Sequence, residues 1–222
     1  MILSNAREKI NRYNQCCLHY NLVADSVYKV RRSVSDLFGT DYVPYLVAVL
    51  ISFEMGKLIG KAELRYSMHP GRFAWKLLNK LKSIKSRIAH FINIRLTDVN
   101  LSRETPNIMS AYDELASRGK NSLHSVGKEF HVGATKILHF INPELFLIID
   151  SNVSRAFRAS HGINYRNSTQ PGYSAEKYVD CLEYAKADLI AFGEYEFCSL
   201  EKDSPMARIY DKLSFTTGCG WL

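Results

Sequence analysis

Between Ile137 and Ile149 the sequence is apolar at every position except His139, Asn142, Pro143 and Glu144, and the run ends abruptly on Asp150. Ile137, Leu138 and Ile141 share one face of a helix, which Asn142-Pro143 stops because proline disfavours helical geometry in the residue before it. Phe146 to Ile149 is too short for periodicity to separate a strand from a buried connector. In either form Leu145 to Ile149 belongs inside, so the chain must carry Asp150 out of a core and set it at the start of a new helix. A core of that kind needs size, and 222 residues supply it without disulfide staples.

The rest of the chain reads as helix. Periodicity and stop signals predict helices at 6–29, 43–59, 72–90, 107–117, 126–130 as a short piece, 135–141, 152–159, 174–192 and 205–212. No repeat period or low-complexity tract appears, and the six prolines are scattered, so nothing marks a flexible linker. The expectation is an all-α fold with extended connectors, built as one domain over residues 1–222, in which 126–157 is the most informative segment.

Several classes fall away. Residues 43–53 are the most apolar run, but Glu54 and Lys57 follow at once, well short of the roughly 20 residues that a spanning helix requires. The run reads as a core helix, and no membrane partner is expected. The first residues lack the basic-then-apolar order of a secretory signal, so the expected location is the cytoplasm. The five cysteines are odd in number, with an adjacent pair at Cys16 and Cys17 and no CxxC spacing, which fits neither a disulfide framework nor a zinc site. His131 and His139 form no HxxxH or HExxH pair, and neither a metal nor a cofactor is expected.

Charge points the other way. Lys and Arg number 29 against 22 Asp and Glu, a net charge of +7 that favours a polyanionic partner. From Arg72 to Arg95 no acidic residue interrupts the sequence. Leu77, Leu81, Ile84 and Ile88 form an apolar stripe and leave Lys76, Lys80 and Arg87 on a different flank, suited to a phosphate backbone or simply to solvent.

Phe130-His-Val-Gly-Ala-Thr-Lys136 adds a second anion signal. Gly133 can take the positive φ of a tight hairpin, after which Ala134 or Thr135 would begin a helix whose free N–H groups point at a phosphate. Val132, Gly133, Thr135 and nearby Lys128 are therefore candidate phosphate contacts. Asp150, before Ser151-Asn152-Val153, is placed to cap a helix by accepting backbone N–H bonds. It is either a cap alone or also a rigidly aimed, ionised carboxylate of the kind that a reaction through a sugar cation requires.

Val132-Gly133-Ala-Thr-Lys136 and Asp150-Ser-Asn-Val153-Ser-Arg155 together resemble the hairpin and catalytic-aspartate signature of the helix-hairpin-helix GPD superfamily of DNA glycosylases, over the stretch from Phe130 to Phe157. The resemblance implies a two-lobed helical fold with a helix-hairpin-helix DNA-binding element and a nucleotide flipped into the cleft between lobes. It further implies a monomeric enzyme acting on double-stranded DNA that contains a modified base, with Asp150 as the catalytic carboxylate. Arg155, about one turn beyond Asp150, would fix that carboxylate or hold a phosphate. Lys136 is the candidate for the lysine nucleophile of bifunctional members, although their usual spacing puts Thr135 there, and the expectation is a monofunctional enzyme that leaves an abasic site. The family's usual Leu-Pro-Gly-Val-Gly is Phe-His-Val-Gly here, and no Cys-rich tail resembles an iron–sulfur loop.

The resemblance admits oxidised guanine, alkylated purines and the modified cytosines of phage DNA as the excised base, the last in an antiviral role. Two other classes stay open: a non-catalytic helix-hairpin-helix module in which Asp150 only caps, and a basic helical protein that binds RNA or protein. The sequence does not rank Tyr20, Tyr45, Phe53, Trp75 and Trp221 as stacking faces for an extruded base.

Overall fold

The structure is a computed structural model that describes residues 1–55, 59–60, 68–69, 71–163 and 174–221, with the side chains of Glu54 and Met55 excepted. Residues 56–58 of the helix expected at 43–59, Lys57 among them, lie outside the described residues. Among the described residues there are ten α-helices and no strand. They are α1 (Ala6–Cys16), α2 (Leu18–Ser33), α3 (Val43–Leu50), α4 (Phe73–Ile88) and α5 (Leu101–Ala116), followed by α6 (His131–Ile141), α7 (Ser151–His161), α8 (Ala175–Phe192), α9 (Glu194–Cys198) and α10 (Met206–Cys219). A π-turn at Ile51–Met55 continues α3, and a 3-10 turn at Ala89–Phe91 closes α4. No helix among the described residues is long and apolar enough to cross a membrane.

Helix α6 is the centre. Every residue from Gly133 to Ile141 is buried, with α5 against one side and α2 and α3 against another. Around it α5 packs on α4 and α8, while α7 packs on α10 and α10 on α1. The C-terminal carbonyls of α6, which have no partner within the helix, are taken by side chains from elsewhere. Tyr42 Oη donates to the Phe140 carbonyl at 2.7 Å, and Arg31 Nε to that of Ile141 at 2.6 Å. Buried Asn142 then makes the turn: its Nδ2 donates to the carbonyls of Phe91 and Ile94, and its Oδ1 accepts the Glu144 N–H at 3.1 Å. Glu144 in turn accepts the Met206 N–H at 2.9 Å and so starts α10.

Leu145 to Ile149 is a connector, not a strand, and its burial leaves backbone polar groups that must find partners. Side chains supply them. His139 Nδ1 lies 2.6 Å from the Phe146 carbonyl, Tyr178 Oη donates to that of Leu147 at 3.1 Å, and Thr135 Oγ1 accepts the Ile149 N–H at 3.1 Å. Because a carbonyl can only accept, His139 carries its proton on Nδ1, and its Nε2 accepts from Tyr28 Oη at 2.6 Å.

The structure differs from the sequence reading in several helices, among them α6, which begins at His131 instead of 135. The helix expected at 6–29 breaks at Cys17, whose φ is −120°, and α2 then runs to Ser33. Helix α5 begins at Leu101, ahead of Pro106: Asn100 caps it by accepting the Arg103 N–H at 3.2 Å, and the helix continues although Pro106, one turn inside, cannot bond to the Ser102 carbonyl. The short helix at 126–130 does not form, because Gly119 and Gly127 take φ values of +88° and +69° and close a loop through Gly119 N–H to the Gly127 carbonyl at 2.9 Å. Helix α10 continues past Lys212 to Cys219.

Burial pushes the His139 imidazole down to about 3, helped by the positive charges of Arg208 and Arg31. In the unfolded chain the same group takes a proton near its ordinary value of about 6.5, so its contribution is complete above that pH and is lost as pH falls toward 3. A His139→Leu variant does not carry this penalty. It should be less stable than wild type at neutral pH, where it leaves Tyr28 Oη and the Phe146 carbonyl unpaired. The gap should narrow by about 2 kcal/mol between about pH 7.5 and about pH 5, as read by urea melts.

Candidate active site

Asp150 stands where the connector leaves the core. Its backbone is extended and its Oδ1 accepts the N–H groups of Asn152 at 2.8 Å and Val153 at 3.0 Å, which makes it the N-cap of α7. A carboxylate in that place satisfies two orphan donors and is favoured by the positive end of the helix dipole. Oδ2 takes no hydrogen bond among the described residues. Asp150 itself is half-buried, so one oxygen is locked and the other remains available at the surface of the core.

The other wall is the end of α10. At Gly218 an added Cβ would lie 1.8 Å from the Asn152 carbonyl oxygen, so only glycine lets α10 approach the first turn of α7 this closely. The next residue, Cys219, has a thiol pushed up by burial and by the charge of Asp150. Further along α10, Arg208 and Asp211 are both buried and form an ion pair of 2.6 Å. Burial pushes the Asp211 carboxyl up to about 7 against the pull of Arg208, with Asp150 adding to the rise and Lys136 opposing it. Arg208 stays charged: burial opposes its charge, but Tyr13, Asp211 and Tyr28 outweigh it and hold the guanidinium above its ordinary range.

Lys136 comes from α6 into the same region. Its side chain is buried, its Nζ donates to the Phe53 carbonyl at 2.8 Å, and the ammonium sits 5.2 Å from the Phe53 ring centre. Phe53 and Tyr20 are half-buried, with ring centres 5.0 Å apart, and Phe53 packs on Phe140 behind. Of the five aromatic residues left unranked by the sequence, Phe53 adjoins Lys136 and Tyr20 packs on Phe53; Trp221 instead packs on Phe215.

The anion-binding residues expected from sequence divide sharply. Gly133 is not a hairpin residue. It lies in the first turn of α6 without a positive φ, where a Cβ would come 1.8 Å from the ring of Phe130, so its absent side chain makes room for packing. Thr135 is fully buried, and its hydroxyl bridges the Val132 carbonyl and the Ile149 N–H inside the core. Lys80 is also buried, paired with Glu114 at 2.8 Å and bonded to Ser117 Oγ at 2.6 Å, because position 80 shares the inward stripe of Phe73, Leu77 and Ile84. Arg155 does not reach Asp150; it is exposed and donates to Asn152 Oδ1. Lys128 is exposed, and Val132, Lys76 and Arg87 are half-buried, with Arg87 donating to the Ser83 carbonyl of its own helix at 3.2 Å. The turn between α5 and α6 is instead the loop at 117–130, which exposes Arg118, Lys120 and Lys128.

Sequence reasoning did not single out Arg208, Asp211 or Gly218. Two charges three apart among Ala207, Ile209, Tyr210 and Leu213 were the available signal for the first two, since charged side chains on an inward stripe are paired or functional. Gly218 lies beyond the helix end that the sequence indicated.

A Gly218→Ala substitution should push the first turn of α7 away from α10. The expected cost is about 1–3 kcal/mol in a urea melt, as for other insertions into tight packing. The amide protons of Asn152 and Val153 should exchange faster, and unchanged exchange there would show that Gly218 does not brace the cap.

The profile of a protein family described as "Putative 8-oxoguanine DNA glycosylase OGG-like protein" matches residues 71–194, more than half of the chain. The matched span holds α4 to α9's first residue, and with them Lys136 and Asp150. Comparison with curated proteins and with solved structures returned no match.

Proposed function

The chain belongs to the OGG-like DNA glycosylase family, which makes DNA its substrate, and from that premise we propose that it hydrolyses the N-glycosidic bond of a modified base extruded from the duplex, with Asp150 as the catalytic carboxylate. The observation that carries this reading is the state of Asp150: Oδ1 is fixed by two N–H groups of α7, and Oδ2 has no hydrogen bond among the described residues. As the bond to the base breaks, positive charge develops on the sugar, and a preoriented carboxylate stabilises it without having to reorganise. The same oxygen then orients or deprotonates the water that completes hydrolysis.

Tyr20 and Phe53, packed on each other beside Lys136 of the same region, are candidate aromatic faces, and an extruded base needs such faces to replace its lost stacking. Lys120, Lys128, Lys76 and Arg155 are the exposed or half-buried cations for the phosphate backbone. The enzyme is monofunctional, a reading supported by Lys136, whose ammonium is buried and engaged with the Phe53 carbonyl rather than held as a free amine. The family description makes oxidised guanine the first base to test, and modified cytosine of phage DNA, which would give an antiviral role, belongs in the same panel.

The decisive assay is the appearance of abasic sites in duplexes carrying 8-oxoguanine and in phage DNA with modified cytosines. Asp150→Asn should lower the rate by about 10²–10³ or more, because it removes the charge that faces the sugar cation. Since Asn is also a good N-cap, the variant should melt within about 1 kcal/mol of wild type and keep its DNA affinity. A folded Asp150→Asn protein that still releases base at the wild-type rate would reduce Asp150 to a cap.

Borohydride should trap no covalent enzyme–DNA adduct. An adduct that forms with wild type and is lost in Lys136→Gln would instead establish a lysine nucleophile.

A further inference from the structure

Hydrolysis through Asp150 uses one carboxylate, but a second lies buried behind it. Asp211 is 4% exposed, and its Oδ2 accepts Arg208 Nη1 at 2.6 Å. Arg208, 2% exposed, commits Nη2 to Tyr13 Oη at 3.0 Å and Asn21 Oδ1 at 3.1 Å, and its guanidinium lies 5.9 Å from the centre of the Phe53 ring. Phe53 is the residue whose carbonyl holds Lys136. Two buried cations, one from α10 and one from α6, therefore converge on a single phenylalanine beside the proposed site.

We propose that Asp211 is a positioning residue for base release: by balancing Arg208 and Lys136, it keeps their positive charge from opposing the cation that Asp150 stabilises. This inference rests on the glycosylase reading of Asp150. Positive charge buried near a developing cation raises its energy, and it also attracts the carboxylate meant to face the sugar, both effects being strong where water is excluded. A buried ion pair can be exchanged for apolar residues at little cost, whereas removing one member leaves an uncompensated charge. The pair can thus be tested by removing one member and then both.

The groups that face Asp211 or act on it are known from each neighbouring element. Its own helix contributes Arg208; the neighbouring Lys212 is held elsewhere, by Glu201 at 2.6 Å and by Asn14 at 3.0 Å. Tyr13 acts on it from α1, Tyr28 from α2, Cys17 from the junction between them, Lys136 from α6 and Asp150 from the start of α7, while Asn21 of α2 accepts from its partner Arg208. With burial raising Asp211 to about 7, the carboxylate gains its proton as pH falls through neutrality, and the balance is lost there. Base release by the wild type should therefore weaken below neutral pH and level off above it.

The test is the single-turnover rate of base release against pH for wild type, Asp211→Asn and the double variant Arg208→Met/Asp211→Asn, each with a urea melt. Asp211→Asn is expected to be about 10- to 100-fold slower above neutral pH, with DNA affinity not weakened and without the wild-type acid limb. The double variant should recover to within about tenfold of wild type, again without that limb. The proposal is overturned if folded Asp211→Asn keeps the wild-type rate and pH profile, or if the folded double variant is as slow as the single one. If Asp211→Asn does not fold, the double variant decides alone, and failure of both to fold marks the pair as purely structural and overturns the proposal. A wild type that releases no base sinks the glycosylase reading, whereas an active wild type with an unaltered Asp211→Asn sinks only the role of Asp211.

Discussion

A buried stretch of chain that is neither helix nor strand has to find partners for its peptide groups among side chains, and the connector at 145–149 is such a stretch. His139, Tyr178 and Thr135 meet the groups at Phe146, Leu147 and Ile149, and Asn142 fixes the turn that begins it. Each unpaired peptide group at that depth would cost more than a hydrogen bond ordinarily contributes, which ties α6, α8 and the connector into one arrangement. The position of Asp150 follows from this arrangement, because the connector ends where the polar partners end.

Capping and close approach then complete the placement. The α7 N-terminus needs an acceptor, Asp150 provides it, and Gly218 lets α10 lie against the same turn. A carboxylate held in this way loses little freedom when a reaction calls on it, which is the physical advantage of building a site on a helix terminus. In the proposed reaction, structural capping and chemistry are served by different oxygens of one side chain. Behind it, the charges of Arg208, Asp211 and Lys136 are packed among aromatic rings, where each one is felt strongly by the others.

Several residues changed meaning between sequence and structure for one reason. Gly133, Thr135 and Lys80 each have the chemistry of an anion contact, and each is turned inward. Glycine serves equally for a positive φ and for a missing side chain, threonine for a surface hydroxyl or a buried bridge, and lysine for solvent or a buried partner. Residue type does not separate these uses. Helix phase does, and it is fixed by which neighbour covers which face.

The sequence by itself determined that the chain is helical, that residues 137–149 lie in the core and that Asp150 follows them at the start of a helix. Those features depend on local rules: apolar spacing, the effect of proline on the preceding residue, and the preference of aspartate for an N-cap. The extent of α5 past Pro106 and of α10 to Cys219 was not legible, since tertiary packing outweighs the weak local signals that end a helix. Only the tertiary structure decided that Lys136 is bound to a carbonyl of residue 53, that Arg208 and Asp211 stand behind Asp150, and that Gly218 braces its cap. These contacts join residues far apart in the chain, and distance along a sequence carries no record of distance in space.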